Sequence, residues 1–169
     1  DGKESDYYES LSEPYPCKNG NFEAPEELML VYGVTRERFD KIKDLITIYG
    51  SGTVNINTAG ARVLSALGLS DKLAAKIISF RERVNTKGVG EVPDNVFTDA
   101  STMMAVLSAS GEPVENEAGE LARAAAMLGV KSDNFRGVIK GAWGKKGRAQ
   151  DITFVYDRVD KLIKYWREE

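Results

Sequence analysis

The chain lacks histidine altogether and contains a single cysteine. Without histidine it has no imidazole to act as a general base, to ligate zinc or copper, or to activate a serine or cysteine nucleophile. Cys17 has no partner for an internal disulfide, and we expect it to be a partly buried thiol. These absences exclude histidine-dependent catalysis and an internal disulfide, and we name no catalytic and no cofactor-binding residue from the sequence.

The chain also lacks a basic excess and a long apolar run. Its 169 residues carry a net charge of -3, whereas a protein dedicated to nucleic acid usually gains affinity from many lysines and arginines. No segment approaches the roughly 18 consecutive apolar residues that a membrane span requires. We therefore expect a globular chain with a core of its own, and the overall charge does not favour a nucleic-acid partner.

Acidic residues concentrate near the start of the chain. Residues 1–31 hold eight acidic residues and two lysines, a balance of -6, and Tyr7, Tyr8 and Tyr15 lie among them. The opening "DGKESDYYESLSEPYP" is typical of a loop inside a domain, so we expect an N-terminally trimmed piece of a longer chain. A second acidic stretch, residues 110–120, is expected to be an exposed loop.

These acidic loops offer the oxygen ligands that a structural calcium ion prefers. No EF-hand spacing is present, so solvated loops remain the alternative. The metal ligands are unknown from the sequence, and we name none.

The first part of the chain has the pattern of a helical hairpin. Pro25 suits the first position of one helix and Gly33 its end. Thr35 is expected to cap a second helix over residues 36–47, which carries apolar residues at helical spacing.

The plan repeats in "VNINTAGARVLSALGLS" and "DKLAAKIISFRER". Thr58 is expected to cap a helix that stops at Gly68, and Ser70 to cap the next one. A shift of 35 residues places Gly33 on Gly68 and Thr35 on Ser70. A weaker third copy begins at "VFTDASTMMAVL", and "LARAAAML" predicts one more helix, ending at Gly129. Residues 1–131 are therefore predicted to form an all-α domain of stacked helical hairpins.

From Ser132 the periodicity changes to that of strands. Phe135, Ile139 and Trp143 recur on one face of "NFRGVIKGAWG", and "DITFVYDR" and "KLIKYWREE" predict two further strands separated by turns. Residues 132–169 are therefore predicted to form an antiparallel β-meander, which makes the fold class α+β. Such a sheet needs an apolar cover, either the helical part or a helix that this sequence does not include.

The second hairpin raises the possibility of DNA binding. In helix-hairpin-helix proteins, backbone amides in a glycine-containing turn and at the next helix start contact a DNA phosphate. Here the turn is Gly68-Leu69-Ser70, followed by Lys72 and Lys76, and these five residues are the candidate DNA contacts. Residues 54–83 carry five basic and two acidic residues, a balance of +3. However, a serine cap uses the amides that a phosphate would need, so packing is the favoured use of the hairpin.

Five stretches of the sequence, taken in order, resemble the K subunit of the type II secretion pseudopilus (the GspK family) and related minor pilins of type IV pili. They are "YYESLSEPYPCKNGNFEAPEELMLVYGVT", "LITIYGSGTVNINTAGARVLSALGLS", "IISFRER", "SDNFRGVIKGAWG" and "IKYWREE". The resemblance implies a helical domain inserted before the last strands of a pilin-like sheet, with the N-terminal pilin helix absent from this sequence.

The resemblance also implies a function. It suggests a non-enzymatic minor pseudopilin that caps the pseudopilus tip, aids its assembly and protein export, and binds the minor pseudopilins I and J and exported substrates. It implies the periplasmic part of a protein anchored in the inner membrane of a Gram-negative bacterium through the absent helix alone. Some family members bind calcium in the helical domain. Two alternatives stay open, a DNA-binding helix-hairpin-helix module and a minor pilin at a type IV pilus tip.

Overall fold

The computed structural model describes residues 2–91, 93–112, 114–143 and 148–168. The chain forms two compact units, Asp1–Ile48 and Tyr49–Glu169. The domain boundary predicted between residues 131 and 132 lies inside the second unit and stays a prediction.

The first unit contains helix α1 (Ser5–Glu9), a 3₁₀ helix (Pro25–Leu30) and helix α2 (Arg36–Ile42). Thr35 caps α2 as predicted, because its Oγ1 accepts a hydrogen bond from the Arg38 amide at 3.2 Å. The predicted helix over 36–47 is too long. It ends at Ile42 because the Leu45 amide donates to the Ile42 carbonyl, three residues back, in a tight turn.

The helical part of the second unit is a succession of short helices framed by two very short strands. The strands β1 and β2 pair in parallel, with Val54 opposite Leu128, which the sequence analysis did not predict. In chain order these elements are β1 (Val54–Asn55), α3 (Ala61–Ala66), α4 (Asp71–Arg81), a 3₁₀ helix (Ala100–Thr102), α5 (Met103–Ala109), a 3₁₀ helix (Glu115–Glu117), α6 (Ala118–Ala124), a 3₁₀ helix (Ala125–Met127) and β2 (Leu128–Gly129).

Two helix boundaries differ from the prediction. Thr58 does not cap a helix, because α3 begins only after Gly60. The Thr58 hydroxyl instead donates to the Asn55 carbonyl at 3.4 Å, inside a turn whose amides also bond to that carbonyl. The last predicted helix does not reach Gly129, because the chain leaves helical geometry after Met127 to pair with β1.

The acidic stretch 110–120 also departs from the prediction. It is not wholly an exposed loop, because a 3₁₀ helix and the start of α6 lie within it. Within this stretch, the acidic residue Glu117 is buried rather than exposed.

One hydrophobic core fills this helical part. Ile56, Leu64, Leu73 and Ile77 have no exposed surface, and Phe97 has almost none. The Phe80 and Phe97 rings lie 4.6 Å apart between their centroids. Every described member of this core falls between residues 54 and 130, so the sheet that follows contributes none.

The C-terminal strands form a three-stranded antiparallel sheet, as predicted, in the order β3 (Asn134–Trp143), β4 (Arg148–Asp157) and β5 (Leu162–Glu168). Opposite residues of neighbouring strands share a face, so the register places Phe135 beside Tyr156 and Phe154 beside Trp166. A bulge between Val155 and Tyr156 shifts the pairing with β5. The turn predicted for residues 144–150 is too long, because β4 already begins at Arg148. Residues 144–147 and the Trp143 side chain lie outside the described part.

Candidate functional site

The turn between α3 and α4 contains the residues named as candidate DNA contacts. Gly68 has a φ of 85°, a left-handed conformation that favours glycine. Leu69 is buried in the core. The Ser70 Oγ accepts a hydrogen bond from the Leu73 amide at 3.3 Å, which confirms Ser70 as the predicted cap of α4. Leu69 of the turn therefore packs into the core, and Ser70 caps the N-terminus of α4.

A carboxylate of the same chain lies at the place where a phosphate would bind. The Ser70 amide donates to the Glu120 Oε2 at 2.7 Å. Backbone amides at a helix N-terminus attract anions, because the helix dipole and the unpaired N–H groups act together. Glu120, which comes from α6, supplies that negative charge from within the protein.

The two candidate lysines point to a second internal carboxylate. The Nζ atoms of Lys72 and Lys76 each lie 3.1 Å from the Glu117 Oε1. Glu117 is 4% exposed, so its charge needs such partners. Its hydrogen bonds with Lys76 first, and then with Lys72, hold the pKa of the Glu117 carboxyl below its usual value.

The arginines of this segment also have partners in the protein. The Arg81 guanidinium donates to the carbonyls of Ile56 and Ala59, at 2.5 and 2.9 Å, and its burial lowers the pKa of that guanidinium. Arg83 forms an ion pair with Glu112 at 3.2 Å. The basic balance of residues 54–83 therefore serves contacts within the chain.

These contacts bear on the DNA-binding alternative. The five candidate residues do come together, but the Ser70 amide and both lysines already contact glutamates of the same chain. Binding DNA here would require those contacts to break and two carboxylates to move away from the phosphate. The alternative stays an untested prediction, and the geometry argues against it.

The "VNINT" motif has a structural use that the sequence analysis anticipated only in outline. Asn57 Nδ2 donates to the carbonyls of Phe97 and Val130, at 2.8 and 3.1 Å. Its Oδ1 accepts from the Phe97 amide at 2.8 Å. Asn55 fixes the Asn57 amide through its own side chain at 2.9 Å. The motif thus joins three segments of the helical part, far apart in sequence.

The role of Glu117 and Glu120 was not predicted from the sequence. Their spacing of three residues at the start of a helix was a signal, because residues three apart share one helix face. Nothing in the local sequence indicated that this face meets α4.

A second candidate surface lies on the C-terminal sheet. On one of its faces, Phe135, Ile139, Ile163 and Trp166 are each about half exposed. The Phe154 ring covers Gly137 on the neighbouring strand, where any Cβ would clash with it. The predicted apolar face is therefore present, and the described residues leave much of it uncovered.

The opposite face of the sheet has a different character. Ion pairs join Lys140 to Asp151 at 3.3 Å and Lys164 to Asp157 at 2.6 Å. Val155 and Asp157 are buried on this face. Hydrogen bonds, first from Lys164 and then from backbone amides, lower the pKa of the Asp157 carboxyl. These ion pairs thus lie on the face opposite Phe135 and Ile139. That face also carries the exposed Val138 and Leu162.

The described part of the chain contains neither a cluster of metal-binding side chains nor a membrane-spanning helix. Within residues 2–91, 93–112, 114–143 and 148–168, no cluster of three or more His, Cys, Asp or Glu side chains is placed to hold a metal ion. The acidic residues do not group as a calcium site there, and we assign no calcium ligand. In the same part of the chain, no helix has the length and apolar character of a membrane span.

Comparison with known proteins bears on most of the chain. Two family models match, both described as type II secretion system (T2SS), protein K, one over residues 1–51 and the other over residues 54–131. The chain belongs to the type II secretion system protein K family. Neither the curated proteins nor the solved structures gave a match. The protein is thus a component of the secretion machinery of the cell envelope, with a role in the type II pseudopilus.

Proposed function

We propose that this protein K chain is a non-enzymatic structural subunit that caps the tip of the pseudopilus and binds the minor pseudopilins I and J. Family membership supports the pseudopilus role, and it favours type II secretion over a type IV pilus. The observation that carries the proposal is the uncovered apolar face of the C-terminal sheet. A half-exposed aromatic and aliphatic surface of this kind marks a place where another element packs.

The proposed capping depends on steric obstruction by the helical part of the chain. A packed helical body with its own core precedes the sheet, and such a body obstructs the stacking of a further subunit above it. The subunit then fits only at the end of a filament. There it can nucleate assembly and meet exported substrates, and catalysis is not needed for either role.

The location belongs to the same proposal. We place the chain in the periplasm, attached to the inner membrane of a Gram-negative bacterium through a helix outside this sequence. In the assembled pseudopilus we expect the apolar sheet face to be covered by an apolar helix.

A reconstitution experiment tests the proposal. The chain, mixed with purified periplasmic parts of subunits I and J, is expected to elute from gel filtration as one ternary complex, and light scattering gives its mass. Separate peaks for the three proteins at concentrations well above micromolar would contradict it.

A matched pair of variants tests the role of the sheet face. Ile139 and Val138 are neighbours in β3 with 50% and 51% exposure, and they point to opposite faces. Ile139→Asp should weaken assembly, whereas Val138→Asp should leave it nearly intact. If both variants are folded by circular dichroism and assemble equally well, the apolar face is not needed for assembly.

A further inference from the structure

Four tyrosine rings in the first unit form a contiguous cluster that the proposed capping role does not use. Tyr8 is buried within it, whereas Tyr7, Tyr15 and Tyr32 are partly or largely exposed. The ring centroids of Tyr7 and Tyr8 are 5.3 Å apart, those of Tyr7 and Tyr32 5.1 Å, and those of Tyr8 and Tyr15 5.4 Å. Two hydrogen bonds fix the set. The Tyr8 hydroxyl accepts from the Tyr32 amide at 3.2 Å, and the Tyr15 hydroxyl donates to the Leu30 carbonyl at 2.7 Å. We call these four residues the tyrosine surface.

A cation of the chain itself already lies at one end of this surface. The Lys3 Nζ is 5.0 Å from the Tyr7 ring centroid and 5.3 Å from that of Tyr32. An ammonium group over two aromatic faces is held by the negative charge density of the rings. Tyr32 remains 59% exposed, so the site is open to a cation from another molecule.

An apolar cavity lies at the other end. It has a volume of about 240 Å³, and its walls include Tyr8, Tyr15, Phe22, Leu30 and Val31. A cavity of this size accepts a single large apolar side chain. Leu30 is 56% exposed at its rim. The buried Tyr8 ring contacts both Tyr7 and Tyr15, at 5.3 and 5.4 Å between centroids, so the cation site and the cavity lie on either side of one ring.

The negative charge around the tyrosine surface favours a positively charged binding partner. Residues 1–31 have a balance of -6. Of their two lysines, Lys3 lies over the rings and Lys18 forms an ion pair with Glu27 at 2.8 Å. Most of the acidic side chains are exposed: Glu4, Asp6, Glu9, Glu13, Glu23 and Glu26. Such a field attracts positive segments and repels acidic ones.

We propose that the tyrosine surface binds a segment of another protein in which a lysine or arginine lies next to a large apolar side chain. The cation replaces Lys3 between Tyr7 and Tyr32, and the apolar side chain enters the cavity beside Tyr8 and Tyr15. Tyrosine is a residue that interfaces favour, because its ring buries a large area at small entropic cost. This inference is independent of tip capping and of subunits I and J.

The test uses the full chain and three fluorescent peptides. The probe has the sequence Gly-Lys-Leu-Lys-Gly, one control replaces both lysines by glutamate, and the other replaces leucine by serine. Anisotropy titrations near physiological salt should show binding of the probe and a large loss with either control. Absence of probe binding, or equal binding of the glutamate peptide, would overturn the proposal.

Variants locate the site. Tyr32→Ala should weaken probe binding by about 2- to 30-fold, since it removes one of the two rings that face the cation. Tyr32→Leu keeps apolar bulk and should show a similar loss, which separates the cation contact from a general packing effect. Retention of full affinity by both variants would contradict the assignment.

The decisive variant removes the Lys3 ammonium group from the rings of Tyr7 and Tyr32. Lys3→Ala should tighten probe binding by about 2- to 5-fold, because the internal cation no longer competes. Lys43→Ala, which removes a lysine paired with Asp40 in the same unit, changes the net charge equally and should have a smaller effect. Equal effects of the two variants would show that charge alone acts. Self-association of the chain through this surface, detected by sedimentation and abolished by Tyr32→Ala, would also overturn the proposal, because a second copy would then be the occupant.

Discussion

The helical core between residues 54 and 130 and the C-terminal sheet bury their apolar residues to very different extents. In the core, Leu64, Leu73 and Ile77 have no exposed surface, whereas Ile139 and Trp166 of the sheet keep half of theirs. The helical core is complete as it stands. The apolar face of the sheet still has surface to bury, as expected of a part that is completed by assembly.

The charged side chains of the two regions also have different kinds of partners. Near the helical core, the lysines of α4 point to the buried Glu117, and Arg81 donates to backbone carbonyls. In the sheet, the ion pairs lie on one face and leave the other apolar. The charged side chains of the helical hairpin thus have partners within the chain. Segregation of charge in the sheet leaves an apolar surface for a partner.

The largest expected effect is on the helical core. Leu73→Ala should lower the free energy of unfolding by about 2–5 kcal/mol, because it leaves a cavity among fully buried side chains. Ile139→Ala in the sheet should cost far less in the isolated chain, since half of that side chain is already in water. Denaturant unfolding of both variants measures the difference. Equal losses would break the contrast between the two regions.

Asn57→Ala is expected to have the next largest effect. It removes three hydrogen bonds to Phe97 and Val130 and leaves a partly buried Phe97 amide without its partner. A loss of about 1–3 kcal/mol in the free energy of unfolding is expected. Asn21→Ala, at an exposed asparagine of the first unit, serves as the control. A similar small change for both would mean that Asn57 does not hold the core segments together.

The cap at Ser70 should contribute less. Ser70→Ala removes the side-chain acceptor of the Leu73 amide and should cost about 1 kcal/mol in the free energy of unfolding. Ser70→Gly should cost only a few tenths of a kcal/mol relative to the wild type, because glycine is tolerated at a cap. Thermal or denaturant unfolding distinguishes the two. A larger loss for glycine than for alanine would argue against the capping role.

The last prediction concerns the pH dependence of stability. Glu117→Gln keeps an acceptor for Lys76 but removes the charge. The pKa of Glu117 lies below its ordinary value of 4.5 in the folded state, so its charge stabilises the fold above that pH. This stabilisation is lost as the pH falls through the lowered pKa. The variant should therefore lose less stability than the wild type between about pH 6 and about pH 3.

Asp157→Asn provides the matched measurement in the sheet, since the pKa of Asp157 is lowered for the same kind of reason by Lys164. Asp157→Asn should also reduce the loss of unfolding free energy as the pH falls.

Thermal unfolding across this pH range measures both effects. If the stability of Glu117→Gln falls with pH as steeply as that of the wild type, the proposed role of Lys72 and Lys76 is wrong.

Local features of the fold could be predicted well. Thr35 and Ser70 were recognised as caps, and Gly68 adopts the positive φ expected at a helix end, 85°. Gly33 also has a positive φ, 84°, but the 3₁₀ helix before it already ends at Leu30, so the predicted end at Gly33 was wrong. The three strands and their alternation were also recognised. All of these depend on interactions within a few residues, which a sequence pattern reports directly.

Other features could not be predicted because their causes are remote in sequence. Thr58 is a common capping residue, but the turn at Asn55 and the contacts of Asn57 with Phe97 and Val130 delay the helix until Ala61. The strand β2 forms only because β1 lies beside it. The strand propensity of two residues is too small to show such a pair in advance.

The sequence by itself determined where α2 and α4 are capped, where the chain turns to strands, and that one face of the sheet is apolar. The tertiary structure decided what the charged residues do. Glu120 reaches the Ser70 amide across 50 residues of sequence, and Glu117 reaches Lys76 across 41. Local geometry follows from neighbouring residues, whereas the partner of a charge depends on the path of the whole chain. For that reason a hairpin that resembles a phosphate-binding motif is here closed by the protein's own carboxylates.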